Sequence, residues 1–204
     1  MRHSRSGVTE YQLQSVIEGF FSYAGASGWS YPSIVGCGEN ATILHYTTNR
    51  DVCGDDEVIL IDAGAEFRGY ASDITRSWPI SGSFTDAQRE IYDIVLEAQL
   101  AAIDACRVGN LYTAPHDAAR KVLAEGLIRL GVITQSVEDA MDMDTGELKR
   151  WYMHNTSHWI GLDVHDAGVY KPGGAPRLLE PGMCLTVEPG LYFGAWRPDV
   201  DCPE

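Results

Sequence analysis

Val58-Ile59-Leu60-Ile61-Asp62-Ala63-Gly64, followed by Tyr70-Ala71-Ser72-Asp73-Ile74-Thr75-Arg76-Ser77-Trp78-Pro79, is the stretch that decides the fold class. The first part is a short apolar run too short for a helix and rich in β-branched residues. Phe67–Gly69 reads as a turn, and Tyr70–Pro79 resumes extended character, so the pair reads as a β-hairpin. Asp62 and Asp73 lie eleven residues apart. Side chains alternate along a strand, so an odd separation across a two- or four-residue loop puts both carboxylates on one face, opposite or diagonal to each other. A three-residue loop with a bulge breaks that parity. Two carboxylates on one face repel unless something positive lies between them. Each Asp taken alone has a more ordinary reading, the first capping a strand-end turn and the second paired with Arg76.

Around the hairpin the pattern is helical. Thr9 and Gln12 have capping-box spacing, and Leu13, Val16, Ile17, Phe20, Phe21 and Ala24 recur at helical period before Gly25. Gly25 to Asn40 reads as a loop rich in Gly, Pro and Ser. Thr85 and Gln88 form a second capping-box pair ahead of Ile91, Ile94, Val95, Ala98 and Ala102. Thr113 and Pro115 open a third helix with Val122, Leu123, Leu127 and Leu130 on one face and Gly131 as its stop. Residues 132–150 are acidic and ambiguous. Met183–Glu188 reads as a strand between Pro181-Gly182 and Pro189-Gly190. Helix, strands, helices, strands is the order of an α+β domain of two similar halves.

The 204 residues suffice for one sizeable core, and 45% hydrophobic with 22% charged residues is an ordinary folded composition. A net charge of −14 argues against a nucleic-acid partner, which needs a basic face. No apolar run is long enough to span a membrane. The five cysteines, Cys37, Cys53, Cys106, Cys184 and Cys202, are odd in number and lack metal-finger spacing. They read as free thiols, which predicts a cytoplasmic protein.

Three of the six histidines fall between Met153 and Asp166. His154 and His158 have i,i+4 spacing, but Asn155 stands where a zinc-protease helix needs Glu, so that motif is rejected. Any one of these histidines alone is as readily a satisfied core residue, and Glu188 before Pro189-Gly190 is alone most simply a solvated turn residue. As a set, two Asp, a His and a Glu in extended segments make an oxygen-rich site with one imidazole. That chemistry suits Mn²⁺, Co²⁺ or Zn²⁺. Two such ions roughly 3.5–4 Å apart can hold a hydroxide and polarise a carbonyl, and the general pattern covers aminopeptidases.

Ile61-Asp62-Ala63-Gly64, Ser72-Asp73-Ile74-Thr75-Arg76, Ser157-His158-Trp159-Ile160-Gly161-Leu162-Asp163-Val164-His165-Asp166 and Thr186-Val187-Glu188-Pro189-Gly190 closely resemble the aminopeptidase P and prolidase family. Gly38-Glu39-Asn40 followed by Leu44-His45-Tyr46 is more similar to aminopeptidase P. The resemblance implies the pita-bread fold, a curved antiparallel sheet flanked by helices in two pseudo-symmetric halves. It also implies a dinuclear centre, usually Mn²⁺, whose hydroxide attacks the bond between a first residue and a following proline. On the matching positions, Asp62, Asp73, His158 and Glu188 are metal ligands, and Glu188 also moves the proton of the attacking water. His165 stabilises the tetrahedral intermediate, while His45 and His154 lie near the substrate and its proline pocket, His154 also counting among the catalytic residues. The partners implied are peptides with proline second, and the full-length protein is expected to be a homo-oligomer. The alternatives are an Xaa-Pro dipeptidase (prolidase) and, from another class, a non-catalytic pita-bread binding protein or inactive fragment. Two departures stand out. Asn155-Thr156 replaces a Gly-containing stretch, and the family's fifth ligand, a Glu on a later strand, has no match, since Cys202-Pro203-Glu204 resembles the loop before it. Residues 1–204 are therefore expected to be a catalytic domain that is C-terminally incomplete and lacks the family's N-terminal domain. As given, that chain should bind metal weakly, turn over little substrate and tend to aggregate.

Overall fold

The computed structural model describes residues 2–195. The positions read as the approach to the fifth ligand, Cys202-Pro203-Glu204, lie outside the described residues. The chain divides into two compact units. The first contains the residues up to Arg89 together with Ile160–Asp166, and the second contains Glu90–Trp159 and Ala167–Phe193.

In the first unit the hairpin forms as read. β3 (Val58–Ala63) pairs antiparallel with β6 (Ile74–Pro79), Asp62 facing Thr75 and Ala63 facing Ile74. The chain continues in the same register through β4 (Ala65–Phe67) and β5 (Tyr70–Ala71), Glu66 facing Ala71 and Phe67 facing Tyr70. The turn is the two-residue loop Arg68-Gly69, with φ of 54° and 83°. Positive φ at both positions is what a type I′ hairpin turn requires, and its twist matches that of the strands.

Two further strands complete the sheets. β1 (Gly28–Trp29) pairs with β4, and β2 (Ile34–Cys37) pairs with β3, giving the orders β1-β4-β5 and β2-β3-β6. Both lie in the segment read as loop, which is a correction. Ile34–Cys37 is too short and too interrupted by glycine to show a period, yet all four of its residues are buried. Gly36 is there because a Cβ would come within 2.7 Å of the Asn40 backbone, in the 3-10 turn that follows.

The α1 helix (Glu10–Tyr23) opens with the Gln12 side chain accepting from the Thr9 N–H at 3.0 Å. Leu13 is buried in a core with Val35, Cys37, Cys53, Ile59, Ile61 and Ala63, and Ile17 and Phe21 pack against it. Full burial of Ile59 or Val35 contributes about 1.5–3 kcal/mol each. The apolar face is narrower than the sequence period predicts, since Phe20 is 66% exposed.

The cysteines require a second correction. Cys37 and Cys53 form a disulfide, with Cα atoms 5.5 Å apart, whereas Cys106 and Cys184 are free thiols. The two cysteines are sixteen positions apart in sequence, and Cys53 is placed by backbone bonds to a distant segment, its N–H donating to Val8 O at 2.8 Å and its carbonyl accepting from Gly7 N–H at 2.9 Å. The thiol count therefore no longer supports a reducing compartment, and Cys202 lies outside the described residues. No helix among the described residues is long and apolar enough to cross a membrane.

The second unit is built on helices. α2 (Asp86–Ala105) starts with a complete capping box, Thr85 N–H to the Gln88 amide oxygen at 3.1 Å and Gln88 N–H to Thr85 Oγ1 at 3.3 Å. α3 (Ala114–Arg129) ends where Gly131 takes φ 73°. Ile94, Ala98 and Ala102 of α2 meet Ala119, Leu123 and Leu127 of α3 in one core. Gly126 lets the helices approach, since a Cβ there would lie 2.5 Å from the Ile94 side chain. The ambiguous segment resolves into the short α4 (Val137–Ala140), capped by Ser136, and a 3-10 turn over Glu147–Arg150. Ala140 and Leu148 carry it into the same core.

Met183–Glu188 is not a regular strand. It runs antiparallel to residues 156–159, with Thr186 N–H donating to His158 O, Glu188 N–H to Thr156 O, and one bridge between Trp159 and Leu185. The reciprocal donors are taken by side chains. His158 N–H donates to Thr186 Oγ1 at 3.0 Å, and Thr156 N–H to His116 Nδ1 at 3.3 Å. The ladder is thus one-sided, and one of the side chains that interrupt it, Thr186, also bonds Glu188.

Candidate metal centre

The first unit holds one group of candidate ligands. Gly64 sits where the hairpin passes from one sheet to the other, and the strands are so close there that a Cβ would lie 1.6 Å from Ser72 O. Ser30 fastens the crossing, donating its N–H to Gly64 O at 2.8 Å and its hydroxyl to Ser72 O at 2.6 Å. The two-residue turn satisfies the parity condition, and Asp62 and Asp73 converge on one hydroxyl, that of Tyr31. It contacts Asp62 Oδ1 and lies 2.9 Å from Asp73 Oδ1. A phenol has one proton, so it can donate to only one of the two carboxylates at a time. Burial, followed by the charge of Asp62, pushes the Tyr31 hydroxyl far above the ordinary phenol range, so it remains a donor. Sequence reasoning missed Tyr31, which lies thirty-one residues from Asp62 with no motif to mark it.

His45 and His165 also belong to the first unit. Both are exposed, His45 at φ 55° on the loop after β2 and His165 in the irregular segment Ile160–Asp166.

The second unit holds the other group. His158 Nε2 lies 3.1 Å from Glu188 Oε1. His158 Nδ1 is 2.9 Å from Trp159 O. An imidazole nitrogen facing a carbonyl must carry the proton, so the neutral ring presents its Nε2 lone pair, the tautomer a metal ligand needs. Thr186 is the residue that organises the pair. Its hydroxyl accepts from His158 N–H and donates to Glu188 Oε1 at 2.6 Å. Around them Tyr112 donates its hydroxyl to Ser157 O, and Trp159 stacks on Tyr170 with ring centroids 5.4 Å apart, locking the segment that carries His158.

His154 stands apart from that pair. Its Nδ1 is 2.8 Å from Asn155 O and its Nε2 2.7 Å from the Tyr192 hydroxyl. Nδ1 faces a carbonyl and so donates to it, and the two contacts hold the His154 ring in one orientation. Deeper in the unit, Thr156 is fully buried and its hydroxyl contacts both His116 Nδ1, at 2.9 Å, and the Tyr152 hydroxyl. Burial, with the Arg120 charge adding to it, pushes the His116 imidazole down to about 4.

Both groups fit a divalent cation by the chemistry of their donors. Asp62 and Asp73 aim two negative oxygens at one point. In the neutral tautomer His158 Nε2 and Glu188 Oε1 are two lone-pair atoms 3.1 Å apart. Each arrangement is repulsive until a proton or a cation lies between its members.

Comparison with known proteins gives the chain a family. The pattern of metallopeptidase family M24 matches residues 1–200. The chain belongs to metallopeptidase family M24. Among curated relatives, the Xaa-Pro aminopeptidase of Escherichia coli K12 is 45% identical over 204 residues, covering 100% of this chain and 45% of that protein. Xaa-Pro aminopeptidase 2 of Streptomyces coelicolor is 46% identical over 176 residues, covering 85% of this chain and 37% of that protein. The solved structure of Pseudomonas aeruginosa aminopeptidase PepP superposes with a TM-score of 0.93 at 44% identity, covering 98% of this chain and 45% of that one. The fold is therefore the pita-bread fold expected from the motifs, and the chain spans about half the length of the curated relatives it matches.

Proposed function

We propose that this M24 chain carries the metal-binding and catalytic residues of an Xaa-Pro aminopeptidase, which hydrolyses the peptide bond between a first residue and a following proline. The observation that supports this most is the convergence of Asp62 and Asp73 on one point in a chain 45% identical over its length to an Xaa-Pro aminopeptidase. In this reading Asp62, Asp73, His158 and Glu188 hold two divalent ions, Mn²⁺ by preference among Mn²⁺, Co²⁺ and Zn²⁺. When bound, such ions polarise the scissile carbonyl and acidify water.

The remaining steps belong to side chains. Thr186 keeps the Glu188 carboxylate oriented, and Glu188 takes the proton of the attacking water and passes it towards the leaving proline nitrogen. His165 donates a hydrogen bond to the oxygen that becomes negative at the tetrahedral stage. His45 and His154 contact the substrate, and His154 offers a ring whose orientation the Tyr192 hydroxyl and the Asn155 carbonyl fix in advance.

A prolidase would use the same residues but accept only dipeptides. The names of the relatives favour the aminopeptidase. The whole protein carrying this chain, supplied with Mn²⁺, should cleave both an Xaa-Pro dipeptide and a longer peptide with proline second. Turnover of the dipeptide alone would make it a prolidase. Turnover of neither, with no metal bound, would make it a binding protein.

A further inference from the structure

The loop from Gly38 to Val52, between β2 and β3, is exposed at its turn and tightly held beneath. Ile43 and Leu44 are 39% and 44% exposed, and His45 next to them is exposed with φ 55°. A left-handed backbone is uncommon for a residue with a Cβ and persists where the surroundings hold it. Beneath the loop lies Glu10, the first residue of α1, which is 0% exposed. Its Oε1 accepts from Cys37 N–H at 2.9 Å and from Asn40 Nδ2 at 3.0 Å. Its Oε2 accepts from the Tyr46 hydroxyl at 2.8 Å and from Asp51 N–H at 3.0 Å.

These donors fill the acceptor sites of an ionised carboxylate. They come from both arms of the loop, Cys37 and Asn40 before His45, Tyr46 and Asp51 after it. The Cys37–Cys53 disulfide closes the base of the same loop. An apolar side chain could fill the volume of Glu10 without the desolvation cost of a buried charge, but it could not gather donors from both arms. Tyr46 matters most for direction, because it is adjacent to His45 and its hydroxyl is drawn inward. Burial and the Glu10 bond push that hydroxyl up to about 12, so it stays a donor at neutral pH.

We propose that Glu10 is a positioning residue for His45: by binding donors on both sides of it, Glu10 sets the loop shape in which His45 meets substrate. This rests on the reading of His45 as a substrate contact in a peptidase. Glu10 itself touches no substrate and performs no proton transfer.

The test is a kinetic cycle on the whole Mn²⁺-loaded protein with an Xaa-Pro-Xaa tripeptide, comparing wild type, Glu10→Gln, His45→Ala and the double variant. Glu10→Gln keeps the volume but turns an amide donor towards existing donors. KM should rise about tenfold with kcat changed less than about twofold, the scale of a lost bond to a charged group. Metal content should stay at the wild-type value. Because Glu10 acts through His45, the double variant should be no worse than His45→Ala alone. Multiplying effects, a fall in kcat with KM unchanged, or lost metal would each overturn the proposal. Tyr46→Phe removes one of the donors without changing Glu10 and should raise KM in the same direction. If Glu10→Gln does not fold, that variant decides alone, and a wild-type KM in Tyr46→Phe refutes the proposal. Wild type inactive on every Xaa-Pro peptide would instead refute the functional reading. Amide exchange of residues 38–51 then decides the loop question, faster exchange in Glu10→Gln supporting the role of Glu10 and unchanged exchange refuting it.

Discussion

Gly64→Ala is the smallest change that should damage both the sheet and the carboxylate pair. The added methyl would sit 1.6 Å from Ser72 O, 2.4 Å from Ser72 C and 2.7 Å from Ser30 Oγ. Two of these atoms are backbone, so no rotamer change relieves the clash and the strands must separate. Overpacking of this kind costs about 1–3 kcal/mol, and an unyielding backbone puts this case at the upper end. Separation also endangers the bonds from Ser30 N–H to Gly64 O and from Ser30 Oγ to Ser72 O, worth about 1 kcal/mol each. The expected loss is therefore about 3–5 kcal/mol, a large share of the whole stability of a domain. Since Asp62 precedes Gly64 by two residues and Asp73 follows Ser72 directly, the carboxylates move apart as the strands do. Urea unfolding of the whole protein would read the stability, and calorimetric Mn²⁺ titration would read the site. A variant with wild-type urea midpoint and undiminished metal affinity would show that the hairpin tolerates separation here, and the argument that Gly64 sets the Asp62–Asp73 spacing would fail.

Asp62→Ala should lose metal and activity while keeping the wild-type unfolding free energy in urea to within about 1 kcal/mol, because it relieves a repulsion rather than breaking the core; full activity with unchanged metal content would remove Asp62 from the site. Thr186→Val deletes the hydroxyl that joins His158 N–H to Glu188 Oε1, and should weaken Mn²⁺ binding about 10–100-fold, as loss of an outer partner of a metal ligand does; wild-type affinity by calorimetry would contradict that role. His116 gives stability a pH dependence. Its folded value of about 4 lies below the unfolded value of about 6.5, so the unfolded chain takes up the proton first. Stability is intact above about pH 6.5 and declines towards pH 4, by roughly 1–3 kcal/mol after allowance for solvent screening. His116→Gln should show a smaller fall in urea midpoint between pH 7 and pH 4.5 than wild type, and equal falls would locate the pH dependence elsewhere.

The hairpin and the three long helices were legible because each carries its own signal. A β-branched run is followed by a turn in the first case, and a capping residue by a 3.6-residue period in the others, with Gly25 and Gly131 closing the first and third. Asp62 and Asp73 could be placed on one face because parity is a local property. β2 was not legible, since four buried residues around Gly36 show neither period nor alternation. The Cys37–Cys53 bond depends on that missed strand and was lost with it. Tyr31, Thr186 and Glu10 went unread for a related reason. Each acts through a hydroxyl or carboxylate whose partners are brought near only by long-range pairing. Phe20 failed in the opposite sense, an apolar residue in helical phase that the core does not cover.

The single register of the hairpin from Val58 to Pro79 bears on the order in which structure arises. Its contacts span at most about twenty residues across a two-residue turn, and hairpins of this kind close in about 1–10 μs. Pairing of His158 with Glu188 has to wait for closure of a thirty-residue excursion and for Thr186 to arrive between them. Loop-closure entropy makes that the slower event. The nascent chain therefore faces two like charges on one strand surface early, before the second group of ligands exists. Tyr31, thirty-one residues from Asp62 and forty-two from Asp73, has a longer loop still to close before it can ease that interval.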